Sequence, residues 1–288
     1  MKSLNASRLI AGIKIKDVFL SPATYILLTI SLLTAYVYIQ GFVRTIEGDG
    51  INLALHPLYT MTGKFLTGLL GEEFLKRLLA SGPGLLTTFT APLPFLLFIL
   101  IHSVLSRGLD RENRVVELIA YGPSNETAYN IASLITDLCL AGLMIVSLTL
   151  FSLTVLVSFN LAVRIHFVAN YLLQFFMLFS LSALGIFLST MMKNALSALF
   201  SYAAVLLGLV VLEVFFYSVT ADTVRSLLLP FHLILRWISP FYYFRLGAVP
   251  FSSSGTLGLF FSILGNTALG ALFLFSASLT AKKKGVRG

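Results

Sequence analysis

The feature that most limits this chain is a set of long stretches without Asp, Glu, Lys or Arg. They cover residues 18–43, 78–106, 138–163, 165–192, 194–212 and 246–281. A helix needs roughly 20 consecutive apolar residues to cross a bilayer core, and each stretch can hold them. Charged residues make up only 11% of the chain, against about 25% in an ordinary soluble domain. The sequence therefore predicts an integral membrane protein.

The predicted fold class is all-α. A transmembrane strand barrel would show alternating polar and apolar residues in segments of about ten, and the charge-free stretches show no such alternation. Six transmembrane helices are predicted, at 25–43, 86–105, 134–159, 168–192, 195–219 and 256–279. No low-complexity linker or internal repeat divides the chain, so residues 1–288 are predicted to form one membrane domain.

The distribution of lysine and arginine predicts the orientation. With six spans, both termini lie on one side together with segments 106–130 and 193–194, and that side carries 12 of the 20 basic residues. Loops rich in lysine and arginine stay in the cytoplasm. We therefore expect a multi-pass protein of the cell membrane with both termini cytoplasmic. Its net charge of +8 is then explained by orientation and by contact with anionic lipid headgroups rather than by nucleic-acid binding.

The segment between the second and third predicted spans carries much of the charge in the chain. Residues 110–121 are predicted to form a short helix, ended by Gly122 and Pro123, which suit a helix terminus. We call residues 110–123 the elbow. A polar connector between spans is the simpler explanation of its charge, yet the predicted turn at 193–194 shows that a connector can be much shorter. The elbow is therefore a candidate contact for another protein.

Three short patterns carry a family resemblance. They are Ser21-Pro22 before the first span, Glu117-Leu118-Ile119 followed by Pro123, and Ser239-Pro240-Phe241 before the last span. In this order and spacing, the chain resembles the permease subunits of the type-2 ATP-binding cassette (ABC) exporter family. The family commonly carries a Gly-Thr pair where this chain has Arg114 and Val115. This difference leaves open which branch of the family the chain resembles and which cargo it would carry.

The resemblance implies a cytoplasmic amphipathic segment at 8–19 and a helical outer segment before the sixth span. It also implies a second permease subunit, identical or different, and cytosolic ABC ATPase subunits that bind ATP and Mg. In this chain Phe65 follows Gly63-Lys64, so the phosphate-cradling loop of an ATPase is not formed there. We therefore expect a transport subunit without its own ATPase site or cofactor. The residues assigned to ATPase coupling are Asp110, Arg111, Glu112, Arg114, Glu117, Gly122 and Pro123.

Asp137 and Glu213 are the acidic residues within predicted spans. Ionisable groups in a membrane are candidates for function, so both are candidates for the translocation path. At 1.5 Å per residue, each lies near an end of its span, which favours an interfacial position over an ion relay. The four histidines lack the spacing of metal ligands, so no metal site is predicted.

Another set of residues favours an enzyme. The set comprises Glu72, Glu73, Arg77, His102, His166 and Asn170. In order and spacing these residues resemble the intramembrane proteases related to the prenyl-protein endopeptidase, which implies a glutamate and a histidine that activate water without a metal. The six-span topology separates Glu72 from His102 by about 24 Å of helix, far beyond contact. The protease is therefore the alternative to the exporter subunit, and a purely structural membrane subunit is a further one.

Overall fold

The computed structural model describes residues 2–47, 83–113, 115, 126–161, 165–218, 229–230, 232–248 and 256–284. Nearly all of these residues are helical, and the described ranges contain no strand. The helices are α1 (Lys2–Leu20), α2 (Pro22–Glu47), α3 (Pro83–Thr90), α4 (Leu93–Glu112), α5 (Glu126–Ser158), α6 (Ile165–Met191), α7 (Ala195–Ser218), α8 (Pro240–Gly247) and α9 (Thr256–Lys284). The all-α prediction is confirmed for this part of the chain.

Five helical segments are long and apolar enough to cross a membrane. They are Pro22–Gly41, Thr87–Glu112, Glu126–Ser158, Phe167–Met191 and Thr256–Ala281. Helix α7 contains a shorter apolar stretch, Ala195–Val211. Large apolar side chains such as Leu150 and Phe200 are more than 60% exposed on the outside of these helices. Such extensive apolar surface marks a face that meets lipid or another protein rather than water.

The second predicted span forms as two helices because prolines interrupt it. Helix α3 ends at Thr90 and α4 begins at Leu93, with Pro92 and Pro94 at the break. Proline lacks a backbone N–H and clashes with the preceding turn. The backbone N–H of Ala91 still donates to Thr87 at the end of α3, and that of Leu96 donates to the carbonyl of Pro92 at 2.8 Å at the start of α4.

Helix α6 lies at the centre of the bundle, with 72% of its apolar segment buried. It runs parallel to α9, because Ser180 Oγ donates to Asn266 Oδ1 at 2.9 Å and, further along both helices, Phe187 stacks on Phe273. It also runs parallel to α4, since Gly185 lies against Ser103 and, further along both helices, Arg111 donates to the carbonyl of Thr190. The parallel helices α6 and α9 require a return segment between them in the chain, and α7 occupies that position.

Helix α7 runs from one end of the bundle to the other. At its start, Ala195 lies against Gly108 of α4, where a Cβ on the glycine would stand 2.6 Å from the Ala195 Cα. Towards its end, Glu213 lies 3.4 Å from Arg245 of α8. We call the end of the bundle with α1, Gly108 and Ala195 the near end, and the end with α8 the far end.

Candidate functional site

Helices α4 and α5 face each other at the near end with matching rows of polar side chains. The rows are His102, Ser106 and Asp110 on α4, and Tyr129, Ser133 and Asp137 on α5. Residues four apart share one face of a helix, and the helices run antiparallel, so His102 meets Asp137 while Asp110 meets Tyr129. We call these six residues the polar ladder.

Lys14 of α1 inserts its ammonium group into the near end of the polar ladder. Its Nζ atom donates to the Tyr129 hydroxyl at 2.6 Å, to Asp110 Oδ2 at 2.8 Å, to Ser106 at 3.1 Å and to Ser133 at 3.3 Å. The Lys14 side chain is only 15% exposed. Burial lowers the pKa of Lys14 below its ordinary value, although the carboxylate of Asp110 favours the charged form. This one side chain therefore ties α1 to both α4 and α5.

Arg107 supports the same junction from a buried position. Its side chain is 2% exposed, donates to Asn130 Oδ1 and lies 3.5 Å from Glu126 Oε1. Its guanidinium also lies over the Tyr129 ring, 5.3 Å from the centroid. Because arginine stays charged in proteins, its burial requires such partners. The sequence analysis missed Arg107, and its position at the polar end of an apolar span was the available signal.

A histidine and an aspartate form the deepest step of the polar ladder. His102 Nδ1 lies 2.8 Å from Asp137 Oδ1, and the Asp137 side chain is only 1% exposed. The other carboxylate oxygen of Asp137 has no hydrogen-bond partner within the described part of the chain. The sequence predicted an interfacial Asp137. The structure encloses Asp137 among helices and pairs it with His102, 35 positions away. The sequence around either residue does not predict this pairing.

The elbow residues that the structure describes contact their own chain. Asp110 belongs to the polar ladder. Arg111 donates to the carbonyls of Thr190 and Met192, at 3.2 and 2.9 Å, and Glu112 accepts the backbone N–H of Ala195 at 2.7 Å. These side chains therefore attach the start of the elbow to α1 and to the α6–α7 turn. The remaining elbow residues, Arg114, Glu117, Gly122 and Pro123, lie outside the described residues.

Glu213 belongs to a separate charged cluster at the far end. Its Oε2 atom lies 3.4 Å from Arg245 Nη1 and 4.0 Å from His232 Nε2. Burial lowers the pKa of His232, and the positive charges of Arg245 and Arg236 lower it further. Burial and the two arginines therefore favour the neutral form of the histidine.

The residues of the protease alternative are not brought together where the structure describes them. Glu72, Glu73 and Arg77 lie outside the described residues, as does the side chain of His166. His102 and Asn170 are both described, and the packing of α4 along the parallel helix α6 puts His102 near the level of Ser189. Asn170 is 19 residues before Ser189, which is about 28 Å of helix. These two side chains therefore cannot share one water molecule.

The fold and the polar ladder together define a helical multi-pass membrane protein with a buried charged junction at one end of its bundle. Comparison with protein-family models, with curated proteins and with solved structures gives no match. Within the described ranges, no group of three or more His, Cys, Asp or Glu side chains could hold a metal ion. The arrangement of the helices and of these charges is therefore the basis for assigning a function.

Proposed function

We propose that this chain is the membrane-spanning permease subunit of an ATP-driven exporter. A second permease subunit would complete the translocation path, and separate cytosolic ATPase subunits would drive it. The observation that carries the proposal is the insertion of Lys14 between Asp110 and Tyr129. This contact joins α1 to the two helices that flank the elbow, so a force applied at the elbow reaches three helices together.

The course of the helices supports six membrane crossings. Helix α7 has 24 residues, which gives about 36 Å of helix against a bilayer core of about 30 Å. It runs the length of the bundle between the parallel helices α6 and α9. With α7 as a crossing, α1 and the end of α9 lie on the same side of the membrane. The lysine and arginine distribution assigns that side to the cytoplasm.

The elbow divides into two parts with different proposed roles. Asp110, Arg111 and Glu112 make contacts within the chain, so we assign them to force transmission rather than to direct ATPase contact. Asp110 contacts α1 through Lys14, while Arg111 and Glu112 contact the α6–α7 turn. Direct contact with the ATPase is assigned to Arg114, Glu117, Gly122 and Pro123, where complementary charge would set register and specificity.

Of the two acidic candidates for the translocation path, Glu213 fits an exit better. It lies at the far end beside α8, close to Arg245 and His232. Asp137 is instead enclosed between α4 and α5. A charged side chain at the exit interacts with each cargo molecule that passes it, so we expect Glu213→Gln to change which cargo the transporter prefers. Unchanged transport of every cargo tested would remove Glu213 from the path.

The test is purification of the tagged full-length chain from its native membrane with its partners. We expect a soluble polypeptide with a phosphate-cradling loop to co-purify, and the complex to hydrolyse Mg·ATP. Replacement Glu117→Lys should uncouple ATP hydrolysis from export, with Lys193→Glu as the control for a charge reversal at an exposed near-end position. Normal export by Glu117→Lys would overturn the assigned coupling. Peptide cleavage by the purified chain without ATP would favour the protease instead.

A further inference from the structure

The His102–Asp137 pair lies deeper in the bundle than the Lys14 contacts. It is one helical turn beyond Ser106 and Ser133, which is about 6 Å further into the bundle. Both residues lie in segments apolar enough to cross a membrane. Ionisable groups in such segments are costly, and those that are retained there commonly serve a function.

The pair is suited to hold one proton. A carboxylate beside a neutral imidazole carries one negative charge, and an isolated charge in a medium of low dielectric constant is expensive. One added proton makes the pair neutral overall, whichever of the two groups holds it. Histidine is the side chain whose charge ordinarily changes between about pH 5 and pH 8. The cost of burying the charge therefore favours the pair that holds one added proton.

The surroundings favour a proton over a metal ion. Lys14 of α1 and Tyr202 of α7 interact electrostatically with Asp137, and the ammonium of Lys14 would repel a second cation. In the described residues no further His, Cys, Asp or Glu side chain completes a metal-binding group. Among the other charged or titratable groups of α4 and α5, Arg107, Asp110 and Tyr129 lie nearer to the near end and contact one another or Lys14. Arg111, Glu112 and Glu126 lie nearer still to that end of the helices, and Cys139 is exposed.

The polar ladder connects the pair to the near end. Ser106 and Ser133 stand between the His102–Asp137 pair and the outer step of the ladder, and both accept hydrogen bonds from Lys14. The His102 side chain is itself 18% exposed, whereas that of Asp137 is 1% exposed. The histidine is therefore the member of the pair that exchanges protons with its surroundings, and the aspartate is the member that supplies charge.

We propose that His102 and Asp137 form a proton-binding site that exchanges with water at the near end. The ring donates its Nδ1 hydrogen to Asp137, and the incoming proton binds the lone pair of Nε2. One N–H bond forms as an O–H bond of hydronium breaks, and the pair changes from one negative charge to none. The neutral pair then attracts Lys14 less strongly, so proton uptake also weakens the attachment of α1. The site does not depend on an ATPase partner.

The experiment is histidine-selective nitrogen-15 NMR on the purified full-length chain, which has four histidines. The His102→Gln variant identifies the signal of His102. In the wild-type chain we expect that signal to change as the pH is varied through the ordinary range for histidine, about pH 5 to pH 8. In Asp137→Asn the proton affinity of His102 should fall by about tenfold or more. The matched control is Ser133→Ala, one turn away on α5 and without a titratable group, which should keep the wild-type affinity to within about threefold.

An equal proton affinity in wild-type chain and Asp137→Asn would overturn the proposal, as would a His102 ring whose protonation is constant over this range. If Asp137→Asn does not fold, infrared spectra of wild-type chain with isotope-labelled aspartate give the answer. A carboxyl band that changes with the titration of His102, and whose change is lost in His102→Gln, supports the site. The absence of such a band change overturns it. Neither measurement depends on transport or ATP hydrolysis, so failure here is separate from failure of the exporter assignment.

Discussion

The Nζ atom of Lys14 lies 2.8 Å from Oδ2 of Asp110, although 96 positions of the chain separate the two residues. The same ammonium contacts Tyr129 on a third helix. Lysine and aspartate are rarely buried without such partners. The contact therefore fixes the position of α1 on the bundle and provides a direct link between the N-terminal helix and the elbow.

Replacement of Lys14 by methionine should detach α1. The variant removes a charged donor and leaves Asp110 with fewer partners in a partly buried position, so we expect a loss of about 1–3 kcal/mol in unfolding free energy. Thermal unfolding in detergent and protease sensitivity of residues 2–20 measure the effect. The control is Lys16→Met on the exposed side of the same helix. If Lys14→Met and Lys16→Met unfold and are cleaved alike, the proposed link through Lys14 is wrong.

Close packing of α4 on α7 depends on Gly108. A Cβ at this position would stand 2.6 Å from the Ala195 Cα, so Gly108→Ala must push the two helices apart. Overpacking of this kind typically costs about 1–3 kcal/mol. Gly142→Ala on α5 is the control because nothing lies within 4 Å of its Cβ position. We expect Gly142→Ala to unfold at or slightly above the wild-type temperature, since alanine stabilises a helix more than glycine does. Equal unfolding temperatures of Gly108→Ala and Gly142→Ala would contradict the close approach of α4 and α7.

Glu112 should stabilise the start of α7. Its carboxylate accepts the backbone N–H of Ala195, one of the donors that a helix leaves without an intrahelical partner at its N-terminus. Loss of an equivalent cap costs about 0.5–2 kcal/mol. We therefore expect Glu112→Ala to increase hydrogen exchange at residues 195–198, with Asn113→Ala as the exposed control. Unchanged exchange in Glu112→Ala would show that this hydrogen bond does not hold the helix end.

Acidification should destabilise the far end through His232. Burial and two nearby arginines lower the pKa of His232 from its ordinary value of 6.5. Below pH 6.5 the unfolded chain therefore binds more protons at this residue than the folded chain does, and stability falls as the pH falls. His232→Gln removes this contribution. Unfolding temperatures measured from about pH 7.5 to about pH 5 should differ in slope between the two proteins; parallel curves would contradict the lowered pKa.

The sequence predicted the helices well because the signal for each is local. A charge-free stretch of apolar residues defines a membrane-crossing helix whatever surrounds it. The predicted start of the fifth span, Ala195, is the first residue of helix α7, but the apolar stretch of α7, Ala195–Val211, is shorter than the five described segments that could cross a membrane. The second span was predicted at 86–105 with a bend at Pro92 and Pro94, and the structure divides it there into α3 and α4, since proline lacks a backbone N–H.

The site was predicted only in part. Asp110, Arg111, Glu112 and Asp137 were selected from the sequence as charged residues in an apolar chain. Asp110 pairs with Lys14 and Asp137 with His102, whereas Arg111 and Glu112 bond backbone groups of the α6–α7 turn. Their partners were not predicted. Lys14, Arg107 and His102 belong to the same junction, yet charge and spacing along the chain gave no reason to place them beside those residues.

The sequence by itself determined that this protein is helical and crosses a membrane, since an apolar stretch can satisfy its backbone in lipid only by hydrogen bonding within itself. Only the tertiary structure decided that Lys14 and Asp110 meet, that His102 faces Asp137, and that Arg111 and Glu112 hold the α6–α7 turn. Those contacts depend on the register between packed helices. Register is set by how whole helix faces pack, and no single stretch of sequence contains that information.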